Sequence, residues 1–182
     1  MTWRNLLRPS TLAAGRAPSR SRANVVPEVR GDESWLEQDG LPPRALQQLW
    51  FATLRSEWRS LVIVPAHANG SALPVARALA AVGAVHLGSA VEVVDGGRIS
   101  LEGASAVAHQ MRAKVAAGAR AIVPVDPLVT SLAGLPIALA ADAVLVAVAL
   151  GLGDLRSARK TLELLGEGKV LGAVAIRPAR AR

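Results

Sequence analysis

The stretch that decides the fold is LVIVPAHANGSALPVARALA, residues 61–80. It begins with four consecutive aliphatic residues, 61–64, which is typical of a strand buried on both faces of a parallel sheet. A turn rich in small and polar residues follows at 66–71. Pro74 then lies where the first turn of a helix tolerates proline. The stretch therefore predicts a strand, a turn and a helix in succession.

The same alternation of strand and helix patterns continues along the chain. The aliphatic runs predict further strands at 91–94, 121–125, 143–149 and 170–176. The helical patterns predict helices at 43–58, 73–82, 102–117, 136–141 and 154–166. Because strands alternate with helices, we expect an α/β fold of three layers, a parallel sheet flanked by helices, with right-handed crossovers.

Composition fits one well-buried domain. Of the 182 residues, 51% are hydrophobic and 19% are charged. We expect the domain to occupy residues 35–177. The longest apolar run, 143–150, has the length of a strand and is too short for a bilayer, so no transmembrane segment is expected. The chain has no cysteine, which excludes disulfides and fits the cytoplasm.

Both ends of the chain are basic. Residues 1–27 carry five arginines and no acid, and we expect the segment 1–34 to be largely disordered. Within it, residues 3–8 form a short amphipathic piece of the kind that docks on a partner or a membrane surface. A second basic tail spans 178–182. Such tails attract nucleic acid or anionic lipid, but without interleaved aromatic residues nucleic acid is not expected as a partner.

The residue types of common catalytic and metal sites are scattered. The three histidines, His67, His86 and His109, have no ligand-like spacing, so no metal site is expected. Ser71 and Ser131 have no histidine and acid at a recognisable spacing. The remaining candidate is the turn after the first strand of the domain, where the amides of a helix N-terminus form a natural anion site.

The C-terminal half resembles a known family. The segments IVPVDPLVTS at 122–131, AADAVLV at 140–146 and the helix and strand over 154–174 are similar to the bacterial tyrosine kinases of capsular-polysaccharide export. These kinases belong to the wider MinD/ParA group of P-loop ATPases. The resemblance implies a P-loop-type fold. Only about thirty residues separate Asp95 from Pro124, fewer than in the family, so we expect a reduced form of that fold in which part of the sheet or its covering helices is absent.

The phosphate-binding turn departs from the family pattern. When residues 62–80 are aligned without gaps, Ala72 takes the place of the phosphate-binding lysine and Leu73 that of the magnesium-binding hydroxyl. Asn69 and Ser71 replace two loop glycines, with Gly70 between them. Alanine cannot neutralise a phosphate and leucine cannot bind a cation.

The acidic motifs depart as well. Pro124 matches the Walker B aspartate, and the nearest acid is Asp126. Gly97 lies where the family has a catalytic aspartate. The chain also has no tyrosine, so the tyrosine-rich tail that these kinases phosphorylate is absent from this sequence.

The helix before the first domain strand resembles the family's self-association helix, whose pattern is Glu-x-x-Arg-x-x-Arg. Here Arg55 alone matches it. Trp50, Phe51 and Trp58 make this helix apolar, which suits core packing or a hydrophobic interface.

These observations favour a catalytically inactive kinase-like protein that acts as an interaction or regulatory subunit in polysaccharide synthesis or export. Its expected partners are a membrane polysaccharide co-polymerase, a true kinase or a second copy, and its expected location is the cytoplasm or the inner face of the membrane. Two alternatives stay open. In one, ATP and magnesium bind a divergent turn through His67, Asn69, Gly70 and Ser71, with Asp126 as the acid and Arg77 or Arg98 in place of the lysine. In the other, the arginine tails make the chain a basic adaptor.

Overall fold

The computed structural model describes residues 25–30, 43–151, 154–166 and 168–177. In chain order the elements are β1 (Val25–Arg30), α1 (Arg44–Thr53), β2 (Ser60–Pro65), α2 (Leu73–Leu87), β3 (Val91–Val93), α3 (Gly103–Ala116), β4 (Arg120–Pro124), α4 (Gly134–Ala140), β5 (Ala143–Ala149), α5 (Leu155–Leu165) and β6 (Val170–Arg177).

The strands form a parallel sheet in the order β1-β6-β5-β2-β4-β3. Strands β2 to β6 are its body and β1 is added at one edge. From the central β2 the chain crosses to the far edge strand β3, then returns through β4, β5 and β6. The predicted α/β architecture with an all-parallel sheet is confirmed.

Helices cover both faces of the sheet. Leu61 and Ile63 of β2 pack into one apolar cluster with α1 and α2. Val62 and Val64 point the other way, into a cluster with α3, α4 and α5. All four side chains are fully buried because successive side chains of a strand point to opposite faces, and here both faces are covered. This double burial is why the run is aliphatic without alternation.

Helix α2 is longer than the sequence pattern predicts. The prediction ends it at residue 82, just before Gly83, but the helix continues to Leu87 and ends at Gly88, whose φ of 60° suits glycine. Gly83 is therefore inside the helix, and its role is packing. A Cβ added at Gly83 would lie 2.5 Å from the buried indole of Trp50.

Helix α1 is shorter than predicted, ending at Thr53 where the prediction continues to 58. The Trp58 indole N–H donates to the Thr53 carbonyl oxygen at 3.1 Å, and the Thr53 hydroxyl donates to the Trp50 carbonyl oxygen at 2.8 Å. The Trp58 bond takes up a carbonyl that a longer helix would use, whereas the Trp50 carbonyl also accepts the helical N–H of Leu54 at 3.2 Å. Trp58 thus lies in the loop after the helix, against its end.

The N-terminal boundary also differs. The sequence predicts a disordered segment through residue 34, but Val25–Arg30 forms strand β1 and pairs in parallel with β6. The register shifts between Val26 and Val29, around Pro27, which lacks the N–H that a regular ladder would use. The amphipathic piece 3–8 and the tail 178–182 lie outside the described residues.

The described part of the chain contains no helix that is both long and apolar enough to cross a membrane.

Candidate functional site

The carboxyl edge of the sheet is where this topology places a ligand site. The β2 connection runs to α2 on one face, whereas the β4 connection runs to α4 on the other. Where neighbouring strands send their connections to opposite faces, a crevice opens between the loops that follow them. The turn 66–72 after β2 and Asp126 after β4 border this crevice. The predicted anion-binding turn is therefore at the switch point of the sheet.

The turn itself is tight. The Gly70 N–H donates to the His67 carbonyl oxygen at 3.0 Å, which closes the turn on itself. A Cβ added at Gly70 would lie 2.8 Å from the Cβ of Pro65, so the backbone passes close to the end of β2. Asn69 and Ser71 are exposed. Their side chains take no part in the hydrogen bond between Gly70 and His67 that closes the turn.

The positions that align with the phosphate lysine and the magnesium hydroxyl face the protein. Ala72 is 2% exposed and belongs to the core cluster of α1 and α2. Leu73 is half-buried. A lysine at a site buried like that of Ala72 would need a partner for its charge.

His67 is the one predicted site residue that the turn buries. Its side chain is buried, and neither ring nitrogen has a hydrogen-bond partner. Nearby, the buried hydroxyl of Thr161 on α5 contacts the Ala66 carbonyl oxygen at 3.5 Å. The histidine is thus placed between the end of β2 and α5.

Two carboxylates converge on the other side of the crevice. A Cβ added at Gly97 would lie 3.3 Å from Oδ1 of Asp95 and 3.5 Å from Oδ1 of Asp126. The sequence analysis singles out Asp126 alone. The pair could have been predicted from two facts. Each aspartate follows a strand, β3 or β4, and the carboxyl ends of neighbouring parallel strands lie at the same edge of the sheet.

Each carboxylate accepts one backbone N–H. Asp95 Oδ1 accepts from the Gly97 N–H at 2.9 Å, and Asp126 Oδ2 accepts from the Arg98 N–H at 2.6 Å. Arg98 has a φ of 52°, a conformation that side chains other than glycine rarely adopt. Asp126 therefore fixes the loop after β3. The described residues contain no group of three or more histidine, cysteine or acidic side chains arranged for a metal.

The four residues predicted as an interaction surface divide into two pairs. Trp50 and Trp58 are buried, with exposed fractions of 0% and 2%, and their rings meet edge to face at 5.8 Å. They are core residues, so the core-packing interpretation holds for them and they cannot contact a partner. Phe51 is 52% exposed and Arg55 is exposed. Only this second pair is available at the surface.

The opposite, amino edge of the sheet is held by Asp142. Its Oδ2 accepts from the Arg59 N–H at 2.9 Å and from the N–H and hydroxyl of Ser60 at 2.8 and 2.9 Å. Burial raises the pKa of Asp142, but these hydrogen bonds and the charge of Lys169 outweigh it and bring the pKa below 3.8. The carboxylate therefore joins the start of β2 to that of β5. The sequence analysis assigns Asp142 no role, since neither spacing nor periodicity marks such a residue.

Asp154 is the N-cap of α5. Its Oδ1 accepts from the Ser157 N–H at 2.7 Å. This bond, with that of the Ser157 hydroxyl, lowers the pKa of Asp154. Asp154 is fully used in starting the helix.

The fold is an α/β domain in which a parallel sheet lies between two helical layers, with the β2–α2 turn at the switch point of the sheet. No protein-family model and no curated protein matches the sequence. Among solved structures, the kinase domain of the Escherichia coli tyrosine kinase ETK superposes with a TM-score of 0.60 and 15% identity, over 88% of this chain and 92% of that one. The BceF tyrosine kinase domain superposes with a TM-score of 0.53 and 12% identity, over 73% and 74%. The predicted likeness to bacterial tyrosine kinases is confirmed at the level of the fold.

Proposed function

We propose that this chain is a catalytically inactive relative of the bacterial tyrosine kinase domains and acts as an interaction or regulatory subunit. The turn after β2 is the observation that carries the proposal. Where the family binds phosphate, this turn reads AHANGSAL over 66–73, without a lysine. Its last positions, Ala72 and Leu73, face the core or its margin.

The acids at the crevice support the same conclusion. In an active P-loop enzyme a carboxylate must be free to hold magnesium or its water ligand. Here Asp95 and Asp126 each accept a backbone N–H of the loop after β3. These bonds give both side chains a structural task. With alanine and leucine at the positions of the lysine and the hydroxyl, we propose that MgATP does not bind here in the way that the family binds it.

The proposed partners follow from the resemblance. A kinase-like domain without its catalytic groups retains surfaces through which to contact a true kinase, a polysaccharide co-polymerase in the membrane, or a second copy. Of the four residues predicted as an interaction surface, Phe51 on α1 and Arg55 just after it are exposed, in the segment that resembles the self-association helix. We place this role in polysaccharide synthesis or export, on the inner side of the membrane.

Isothermal titration calorimetry of the whole chain with ATP and magnesium tests the inactive assignment. We expect no heat of binding at protein concentrations that detect micromolar affinity. Binding at micromolar Kd would contradict the proposal.

A divergent nucleotide site is the second candidate, and one observation favours it. The buried ring nitrogens of His67 have no partner, and they lie in the turn where a phosphate would bind. Backbone amides of such turns hold phosphate without a lysine in some proteins. This alternative predicts ATP hydrolysis that Asp126→Ala abolishes, and its control is Glu92→Ala, since Glu92 pairs with Lys114 in the middle of β3.

A further inference from the structure

The amino edge of the sheet brings together the ends of the two helices on one face. All strands are parallel, so the connection from each helix back to the sheet lies at this edge. Helix α1 ends at Thr53, shortly before β2, and α2 ends at Leu87, shortly before β3. The last turns meet directly, because the rings of Phe51 and His86 lie 4.8 Å apart.

These last turns expose apolar side chains. Phe51 is 52%, Val85 63% and Leu87 37% exposed. Every residue from 84 to 90 is exposed, so the end of α2 projects from the body of the domain. We call Phe51, Val85 and Leu87, with the arginines that flank them, the amino-edge patch. The two elements touch through the rings of Phe51 and His86, the residue between Val85 and Leu87.

Positive charge surrounds this patch. Helices α1 and α2 contain no aspartate or glutamate. Arg55 and Arg59 follow α1 and are exposed. Over residues 54–59, the loop that follows α1, there are two arginines and one acid, Glu57, a net charge of +1. An acidic surface is therefore attracted to this part of the molecule.

The same edge receives the basic N-terminal segment. Strand β1 runs parallel to the others, so the chain enters the domain at Val25 from the amino side of the sheet. The sequence before it, residues 1–24, carries five arginines and no acid.

We propose that the amino-edge patch docks the domain on an anionic lipid bilayer. Phe51, Val85 and Leu87 enter the interfacial region, and the flanking arginines contact lipid phosphates, with their aliphatic stems along the apolar surface. This orientation turns the carboxyl edge, with its turn at 66–72, away from the bilayer. The docking does not depend on whether that turn binds a nucleotide.

The residue types favour a bilayer over other acidic partners. Apolar side chains at the centre with arginines around them are the pattern of interfacial membrane binding, which combines buried apolar area with attraction to anionic lipid. Nucleic acid would need rings for stacking, and Phe51 is the only aromatic side chain of the patch. An acidic protein is the competing partner, and the experiment separates the two.

Vesicle sedimentation tests the proposal. The whole chain is mixed with vesicles of phosphatidylcholine and phosphatidylglycerol in a ratio of about 7:3, and with vesicles of phosphatidylcholine alone. We expect binding to the anionic vesicles that weakens steeply with salt. The variant Phe51→Ser/Val85→Ser is expected to bind about tenfold more weakly, because it removes apolar area that would enter the interface.

The matched control removes equally exposed apolar side chains elsewhere. Leu101 and Leu155, 66% and 85% exposed, precede or begin helices at the carboxyl edge. The variant Leu101→Ser/Leu155→Ser should bind like the wild type. Equal binding by wild type and Phe51→Ser/Val85→Ser would overturn the proposal, as would failure to bind anionic vesicles. Binding to polyglutamate without binding to vesicles would assign the patch to an acidic protein and also overturn it.

A label provides a second measurement that does not rely on loss of binding. Because the chain has no cysteine, Val85→Cys and Leu155→Cys can each carry one environment-sensitive dye. On anionic vesicles the dye at position 85 should brighten and shift to shorter wavelength, while the dye at 155 stays unchanged. A response at 155 with none at 85 would place the docking surface at the carboxyl edge and would contradict the proposal.

Discussion

The contact between Gly83 and Trp50 offers a sharp test of how the two helices of one face are packed. In Gly83→Ala the new Cβ would lie 2.5, 2.8 and 2.9 Å from three carbons of the indole. All three distances are shorter than normal contacts. The indole is fully buried and is held edge to face by Trp58, so it cannot move aside cheaply.

The expected loss of stability is the difference between two effects. Overpacking of a buried site costs about 1–3 kcal/mol, and three close ring carbons place this site near the upper end. Alanine is better than glycine within a helix by about 1 kcal/mol, which offsets part of that cost. We therefore expect a net loss of about 2 kcal/mol, or a fall in Tm of about 4–8 °C for a domain of this size.

Urea unfolding followed by circular dichroism measures this change. Gly103→Ala is the matched control, since Gly103 also belongs to a helix and its added Cβ would meet only ordinary contacts at 3.6 and 3.7 Å. It should be neutral or slightly stabilising. In a Trp50→Leu background, Gly83→Ala should lose most of its effect, because the indole is gone. A Gly83→Ala protein as stable as the wild type would refute the packing described here.

Three further substitutions test other parts of the structure. Asp142→Ala should lower stability by about 1–2 kcal/mol at pH 7, since it leaves the amides of Arg59 and Ser60 without their acceptor. Because the folded pKa of Asp142 is lowered, its contribution to the free energy of unfolding is present above pH 3.8 and is lost as the pH falls through the folded pKa. Asp142→Asn should therefore make the free energy of unfolding fall less steeply at acid pH. An unchanged dependence on acid pH would contradict this. Asp154→Ala should reduce the helicity of α5 while Asp154→Ser retains it, because serine also caps, and equal loss in both would argue against the cap. Gly70→Ala should destabilise the turn after β2 by about 1–3 kcal/mol, since its Cβ would meet that of Pro65 at 2.8 Å, and a neutral result in thermal melts would mean that the turn is open.

Much of the fold could be predicted because aliphatic runs and helical periodicity are local signals. The strand pattern at 143–149 coincides with β5 (Ala143–Ala149), and that at 170–176 falls one residue short of β6. The predictions were wrong where tertiary contacts determine the end of an element or the role of a residue. The end of α1 depends on the Trp58 indole, which binds a carbonyl that periodicity cannot reveal. Gly83 is recognisable as a packing position only when Trp50 is opposite it.

The site was predicted less completely, and for a similar reason. The turn at 66–71 could be located from the pattern because it joins the first strand and helix of the domain. The convergence of Asp95 and Asp126 on Gly97 depends on β3 and β4 being neighbours, which the order of the strands along the chain does not state. The role of Asp142 at the amino edge likewise joins residues far apart in sequence.

The central claim is that the crevice after β2 keeps the backbone shape of a nucleotide site but lacks the side chains that bind a nucleotide. Calorimetric titration of the whole chain with ATP and magnesium tests this claim most directly. We predict no binding by the wild type, since its turn has no lysine and Asp95 and Asp126 each accept a backbone N–H of the loop after β3. Wild-type binding with a micromolar Kd that requires magnesium would contradict the account.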